Sequence, residues 1–301
     1  MNVFMAYGEC IESDLDFDAL PRVARIKNSI LIQTERVASI ERDMGISVRS
    51  CSAQNRTVHI VSHVSHVNVQ VDLVLGFELW FSSRRIRCLA LDDTTEDLLK
   101  YWILQQIIPL FLLMNGSTEF LHGMAVSATP YRKDQSGLSC LGFLGPSYAG
   151  KSTLLGYFLS RGHSLVTDDQ LALSRRDYAE VLPAAPFYRP YRATEELGVC
   201  TAHYSAAPTQ LQRLYLMTSA SPETGVRIEK LFGMDAVTAL FPNVHYSLHN
   251  YAKPDFYSLV ESRFRGIVDV SRRIPIALLH VPRSLDRLPE VYDLIQNDCV
   301  S

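Results

Sequence analysis

The middle of the chain contains a run of residues that is typical of a phosphate-binding loop. The pattern G-x-x-x-x-G-K-[ST] is matched by eight consecutive residues: Gly145, Pro146, Ser147, Tyr148, Ala149, Gly150, Lys151 and Ser152. Glycine allows the backbone to curve so that several N–H groups point at one anion. Lys151 supplies a charge for the β- and γ-phosphates, the Ser152 hydroxyl is a ligand for Mg²⁺, and Thr153 is expected at the α-phosphate. The run predicts a nucleoside triphosphate site.

Two adjacent carboxylates, Asp168 and Asp169, follow this loop at the end of the segment RGHSLVTDD. A helix of about ten residues carries the chain about 15 Å from the loop, and a short strand returns it by a similar distance. Carboxylates beside phosphates repel them unless a cation intervenes, so the pattern implies Mg²⁺. One aspartate holds the metal and the other accepts a proton from an attacking hydroxyl. The alternative is a solvated turn after a strand.

The segments around these residues have the pattern of elements that position such a site. The apolar run LSCLGFL precedes the loop and predicts a strand, and STLLGYFL follows it and predicts a helix over about 151–161. A strand is predicted over 164–167, a hairpin over LALSRRDYAEVLPA, and a strand and a helix at the end of the chain. Thr94 and Asp97 resemble a capping box that opens an apolar helix, which ends at Asn115-Gly116.

The N-terminal third predicts a different architecture. The run VNVQVDLVL alternates apolar and polar residues from Val67 to Leu73, which is the period of a half-buried strand. We therefore expect a β-rich domain over 1–92 and an α/β (α+β, mixed-sheet) catalytic domain over 93–301. His59, His63 and His66 share this region, where the alternation favours a strand, with His63 and His66 on opposite faces, over a helical metal site.

Composition narrows the class of protein. The 301 residues are 47% hydrophobic and 20% charged, with a net charge of −3, which favours a globular protein over a nucleic-acid binder. Six cysteines without a C-x-x-C pair indicate free thiols in a reducing compartment. The N-terminus lacks the pattern of a secretory signal, and the apolar run YWILQQIIPLFLLM is short and interrupted, so a buried helix is expected. These features predict a cytoplasmic protein with no membrane partner.

The order of the motifs resembles the catalytic domain of the HPr kinase/phosphorylase family. These are bacterial P-loop serine kinases related in core fold to phosphoenolpyruvate carboxykinases. The similarity rests on the spacing from lysine to aspartate, on LHGMAV upstream and on RGHSLVTDD downstream. It implies that Lys151 acts on phosphate, that Ser152 and Asp169 bind metal, and that Asp168 is the acid/base residue. It also implies that His122 is an active-site neighbour of the aspartates.

One signature of that family is altered. A Glu-Ile-Arg-Gly-like stretch supplies a second metal-binding glutamate there, whereas this chain reads PFYRPYRATEELG, with Glu195 and Glu196 as stand-ins. The layout, including the tail PIALLHVPRSLDRL, is more similar to HPr-kinase-like proteins of biosynthetic gene clusters. These include kinases that phosphorylate the C-terminal serine of lasso-peptide precursors, which implies a peptide or protein substrate with a serine hydroxyl.

Two groups of arginines could bind a ligand or lie on the surface. Arg189 and Arg192 in YRPYR suit a transferred phosphate or a substrate carboxylate, because guanidinium groups pair with both, or they are surface residues around prolines. The run of Arg263, Arg265, Arg272 and Arg273 is expected on a solvated face.

The function hypotheses come from different classes. The first is an ATP- and Mg²⁺-dependent serine kinase, expected to form a homo-oligomer; the choice between ATP and GTP is open. The alternatives are a nucleotide-binding sensor without phosphotransfer, an HPr-type serine kinase/phosphorylase, an ATPase motor or transporter subunit, and a carboxykinase acting on small carboxylates.

Overall fold

The computed structural model describes residues 1–44, 47–53, 56–131, 139–190, 194–221, 225–244 and 256–300. The protein has mixed α/β architecture, with sheets that contain parallel and antiparallel strands, as the sequence predicts for the fold class. The chain divides into two compact units. The first comprises Met1–Gly116, Arg192–Leu197 and Tyr246–Ser262, and the second comprises Ser117–Tyr191, Gly198–His245 and Arg263–Ser301.

The first unit is built on an eight-stranded sheet. Its strands are β1 Asn2–Ala6, β2 Glu9–Ser13, β3 Ile30–Val37, β4 Ser47–Ala53, β5 Arg56–Ser62, β6 Val67–Val71, β7 Leu75–Trp80 and β8 Arg85–Leu91. Their order is β1-β2-β3-β8-β7-β6-β5-β4. The predicted apolar positions Val67, Val69 and Val71 are buried, but the alternation is incomplete, because Gln70 is buried as well. The strand ends earlier than predicted, since Asp72 and Leu73 have left-handed φ values of 47° and 58° and turn the chain into β7.

A long apolar helix also belongs to the first unit. It consists of α1 Glu96–Trp102, a π-helical turn Ile103–Ile107 and α2 Ile108–Met114. The stretch Glu96–Met114 has the length and apolarity to cross a membrane, but 72% of its most apolar window is buried inside the protein, as in the core helix of a soluble protein.

The ends of this helix test two sequence predictions. The predicted cap at Thr94 is wrong by one residue, because the Thr95 hydroxyl accepts the Leu98 N–H. The predicted stop is confirmed, since α2 ends at Met114 and Gly116 has a left-handed φ of 76°. The compact units divide the chain after Gly116 and place this helix with the first unit, whereas the sequence analysis placed the boundary near Asp92.

The second unit contains the remaining strands. They are β9 Thr118–Ser127, β10 Ser139–Leu144, β11 Leu165–Thr167, β12 Gln170–Ser174, β13 Glu180–Val181, β14 Phe187–Tyr188, β15 Val199–Cys200, β16 Thr209–Ala220, β17 Arg227–Leu231 and β18 Ile276–Pro282. The main sheet has the order β10-β9-β12-β13-β16-β18-β17. β10 also pairs with β16, which closes a ring of five strands, and β11 pairs with β9. β14 and β15 form a separate two-stranded sheet.

Helices cover both faces of this sheet. They are α3 Lys151–Ser160, α4 Gly233–Leu240, α5 Phe256–Arg273, of which the residues from Arg263 onward belong to this unit, and α6 Leu288–Val300, with short 3₁₀ turns at Phe241–Asn243 and Leu285–Arg287. α3 and α6 share one apolar cluster with Leu141 and Phe143 of β10. α4 and α5 share the other with Cys140 and Leu144. Successive residues of β10 thus point to opposite faces, and both faces of the strand that leads into the loop are buried.

Candidate active site

The predicted strand–loop–helix arrangement is present at the phosphate-binding motif. β10 ends at Leu144, and α3 begins at Lys151. The loop between them needs unusual backbone angles: φ is 151° at Gly145, 66° at Tyr148 and 94° at Gly150. A Cβ on Gly145 would also lie 3.0 Å from the Met217 carbonyl oxygen. The loop is a tight, glycine-dependent cradle at a helix N-terminus, which is the geometry that phosphate groups favour.

Lys151 folds back over this cradle. Its Nζ donates hydrogen bonds to the carbonyl oxygens of Gly145 (2.6 Å) and Pro146 (3.1 Å). The other loop side chains differ in exposure: Pro146, Ser147 and Tyr148 are exposed, as is Thr153 of α3, whereas Ala149 and Ser152 are half-buried. The ammonium group therefore already lies at the loop where the motif predicts it.

Strand β9 lies in the sheet between β10, which leads into the loop, and β12, which follows the aspartates. Gly123 pairs with Leu144, the last residue before the loop, and His122 pairs with Gln170, which follows Asp169. The Gly123 N–H also donates to the Asp169 carbonyl oxygen at 3.2 Å. Because β10 and β12 lie on the two sides of β9, the start of the loop and the aspartates are about two strand spacings, or roughly 10 Å, apart.

The close approach at this point requires glycine. A Cβ on Gly123 would lie 2.4 Å from Cδ2 of Leu144 and 2.6 Å from the carbonyl oxygen of Phe143. No ordinary side chain fits there unless the strand that leads into the loop moves. The segment LHG thus contributes His122, which lies beside the aspartates, and Gly123, which leaves room for β10 to pack closely against β9.

Asp168 lies in the turn between β11 and β12 and is held by two main-chain donors. The Arg189 N–H donates to Oδ2 at 2.8 Å, and the Asp169 N–H donates to Oδ1 at 2.9 Å. Desolvation by burial raises the pKa of the Asp168 carboxyl to about 6, aided by the charge of Asp169 and opposed by the hydrogen bond from Arg189. A carboxylate with this pKa is ionised at neutral pH and is an effective proton acceptor.

Asp169 has different partners. Its φ is 66°, and its Oδ2 accepts a hydrogen bond from the Arg189 guanidinium. Its Oδ1 lies 3.6 Å from Nδ1 of His122. Asp169 is therefore surrounded by cationic or ionisable groups, whereas Asp168 is held by neutral main-chain donors. The structure brings together His122, Asp168, Asp169 and Arg189 in one cluster.

The donor atoms at this edge of the sheet suit magnesium. The Ser152 hydroxyl and the Asp169 carboxylate are oxygen ligands, and Mg²⁺ in proteins takes one or two carboxylates together with waters and substrate phosphates. No group of three or more His, Cys, Asp or Glu side chains suited to a metal occurs among the residues that the structure describes.

Other predicted site residues lie elsewhere or outside the described chain. Arg192 is outside the described residues. Glu195 is wrong as a stand-in for the second metal ligand, because its carboxylate pairs within the first unit with Arg56 at 2.7 Å and accepts the Trp102 indole N–H at 2.7 Å. Glu196 is exposed.

Two further predictions are corrected. His63 and His66 do not lie on a strand with opposite orientations: they lie in the turn between β5 and β6, where their rings stack 4.4 Å apart. Arg263 does not lie on a solvated face, since it is fully buried and paired with Glu119, whereas Arg265, Arg272 and Arg273 are exposed. No local pattern predicts the Glu119–Arg263 pair, because the partners are 144 residues apart.

A scan against protein-family models and a search of curated proteins found no match to this chain.

Proposed function

We propose that the protein is an ATP- and Mg²⁺-dependent kinase that transfers the γ-phosphoryl group to a serine hydroxyl of a peptide or protein in the cytoplasm. The observation that carries this proposal is the pairing of His122-Gly123 with β10 on one side and β12 on the other. This pairing brings a phosphate-binding loop and two carboxylates to one edge of a sheet. The resemblance to HPr-kinase-like proteins supports the same conclusion for the core fold.

The chain's own groups divide into binding and chemical roles. The N–H groups of the loop and Lys151 bind the triphosphate, and Ser152 and Asp169 hold the metal. When bound, Mg²⁺ supplies positive charge that offsets the charge on the phosphates. Asp168 orients the acceptor hydroxyl and takes its proton, while the two N–H donors fix the carboxylate in place. His122 orients Asp169 through the 3.6 Å contact.

The acceptor class follows from the resemblance rather than from the cluster. The HPr-kinase-like proteins that this chain resembles include kinases that phosphorylate the C-terminal serine of lasso-peptide precursors, so a short peptide with a terminal serine is the first substrate to test. A serine hydroxyl needs a base that is ionised at neutral pH, which agrees with a pKa of about 6 for Asp168.

A nucleotide sensor without phosphotransfer is the second candidate. The observation that favours it is the position of Glu195, which pairs with Arg56 and Trp102 instead of supplying a second acidic ligand. Such a protein would bind ATP and change conformation but form no product.

The test combines nucleotide binding with product detection. The protein is incubated with ATP, Mg²⁺ and peptides that end in serine, and mass spectrometry detects the addition of one phosphoryl group. Asp168→Asn is expected to reduce the rate of transfer by about 10²–10⁴-fold, with affinity for a fluorescent ATP analogue largely unchanged. The matched control is Asp293→Asn, which changes an exposed carboxylate of α6.

Each outcome separates the candidates. Loss of ATP binding together with activity in Asp168→Asn would remove the assigned role of proton acceptor. ATP binding by the wild-type protein without product from any serine, threonine or small-carboxylate acceptor would favour the sensor.

A further inference from the structure

We propose that Arg189 is an internal counterion that competes with the divalent metal for Asp169, so that the metal enters this site together with a nucleotide rather than alone. The inference deepens the proposed function and rests on it, because it assigns Asp169 to the metal. It concerns the order and coupling of ligand binding, which neither the motif nor the family resemblance specifies.

The contacts of Arg189 carry the inference. Its guanidinium donates to Oδ2 of Asp169, and its own main-chain N–H donates to Oδ2 of Asp168 at 2.8 Å. The side chain is only 16% exposed. The residue directly follows β14, whose pairing with β15 joins Phe187 to Cys200 and Tyr188 to Val199. One residue is thus attached to both aspartates, through its backbone to one and through its side chain to the other.

Charge makes the Arg189 guanidinium and a divalent metal compete for Asp169. A guanidinium and a divalent cation at the same carboxylate repel each other, and partial burial strengthens that repulsion relative to bulk water. A metal at Oδ2 must therefore break a charge-assisted hydrogen bond, and a metal at Oδ1 would still lie close to the guanidinium charge. The Nδ1 atom of His122 lies 3.6 Å from Oδ1 of the same carboxylate.

A nucleotide changes this balance. Its phosphates supply most of the ligands that Mg²⁺ requires, and they also offer an anion to the displaced guanidinium. The metal and the nucleotide therefore help each other to bind, and by linkage the coupling is equal in both directions. Without Arg189, the metal alone should bind more tightly and its coupling to the nucleotide should weaken.

The experiment measures Mn²⁺ binding, first in the absence of nucleotide. Electron paramagnetic resonance counts free Mn²⁺ in titrations of the wild-type protein, Arg189→Gln and the control Arg287→Gln, which removes the exposed pair of Arg287 with Glu290. Glutamine at 189 retains the main-chain N–H that holds Asp168. We expect Arg189→Gln to bind Mn²⁺ about tenfold more tightly than wild type, a typical coupling magnitude, and Arg287→Gln to match wild type. ADP should then raise Mn²⁺ affinity by a larger factor in wild type than in Arg189→Gln.

A double variant identifies the carboxylate involved. Asp169→Asn in the Arg189→Gln background should return Mn²⁺ affinity to the wild-type level or below. Unchanged Mn²⁺ affinity in Arg189→Gln, with a circular dichroism spectrum and unfolding midpoint that show a folded protein, would overturn the inference. So would a gain in affinity that persists without the Asp169 carboxylate. Failure of the proposed function would be seen separately, as absent ATP binding or phosphotransfer in the wild-type protein, because the Mn²⁺ titration without nucleotide measures neither.

Discussion

Two clusters of carboxylates and arginines lie along strand β9. They contain similar types of side chain, but the carboxylates differ in the groups that bind them. At the start of the strand, Glu119 is fully buried. Its Oε1 accepts from Nη2 (2.6 Å) and Nε (2.8 Å) of Arg263, and its Oε2 accepts from Arg175 at 2.8 Å. Each carboxylate oxygen is thus bound by a guanidinium group, and Arg263 is itself buried.

Three residues further along β9, His122 marks the second cluster. Here Asp168 and Asp169 are only partly buried and share one arginine, Arg189. The pKa of Asp168 is raised, because desolvation is not matched by a paired cation. Residue type alone therefore does not distinguish a structural ion pair from a reactive one. The charge of the donor groups does: both oxygens of Glu119 are bound by guanidinium groups, which hold elements together, whereas the oxygens of Asp168 accept main-chain N–H groups that carry no compensating charge.

Glu119→Gln should disrupt the structural cluster, and of the variants proposed it should cause the largest loss in unfolding free energy. The amide removes the negative charge between Arg175 and Arg263 and leaves buried guanidinium groups without compensation, which typically costs about 3–5 kcal/mol. Urea unfolding monitored by circular dichroism measures the loss. The control is Arg273→Gln, which removes an exposed pair with Asp177 and should cost less than about 1 kcal/mol. A loss of similar size in the two variants would contradict the distinction drawn between the clusters.

Gly123→Ala tests the contact between the second cluster and the loop. The added methyl group would overlap Leu144 and the Phe143 carbonyl, so the strand that leads into the loop must shift. We expect a loss of about 1–3 kcal/mol in unfolding free energy together with weaker binding of an ATP analogue. Gly156→Ala in α3 is the matched control, because nothing lies within 4 Å of its added Cβ and alanine favours helix. Normal nucleotide affinity in Gly123→Ala would show that the loop does not depend on this close approach.

Local patterns predicted much of the second unit. The strand before the loop, the helix after it, the return strand at Leu165–Thr167 and the hairpin of β12 and β13 all agree with the sequence analysis. Each depends on residues close in the chain, such as a glycine loop or an apolar period, so a short window contains the information. The same locality placed Asp168 and Asp169 near the loop, because one helix and one strand of similar length return the chain to its starting edge.

Long-range partners were not predictable in this way. Glu119 and Arg263 are 144 residues apart, and Glu195 reaches Trp102 over 93 residues. No local pattern distinguishes these buried charges from the exposed Arg265 or Glu196. The contact of Arg189 with Asp169 was similarly hidden, since the motif suggested a role in binding substrate and only the fold shows the aspartate as its partner.

Asp168→Asn gives the smallest predicted change in stability and tests whether this carboxylate is held by main-chain N–H groups without a compensating charge. The pKa of Asp168 is raised from 3.8 to about 6, so between these pH values the folded protein retains a proton that the unfolded chain has lost. Stability contributed by this group therefore falls as the pH rises through that window and is constant above it.

Asparagine resembles the protonated acid, so the variant and the wild type should have nearly equal unfolding free energies near pH 4. Above pH 6 the variant should be more stable by about 1–2 kcal/mol, which is less than the full linkage value because Asp168 is partly exposed. Urea unfolding of both proteins from pH 4 to 8, with Asp293→Asn as the control, gives the difference curve. Two results would contradict this: a stabilisation that does not vary with pH, or a variant less stable than wild type at pH 8. Either would mean that the ionised form of Asp168 does not destabilise the folded protein. Asp168 would then belong with Glu119 as a structural anion, and the contrast between the two clusters along β9 would disappear.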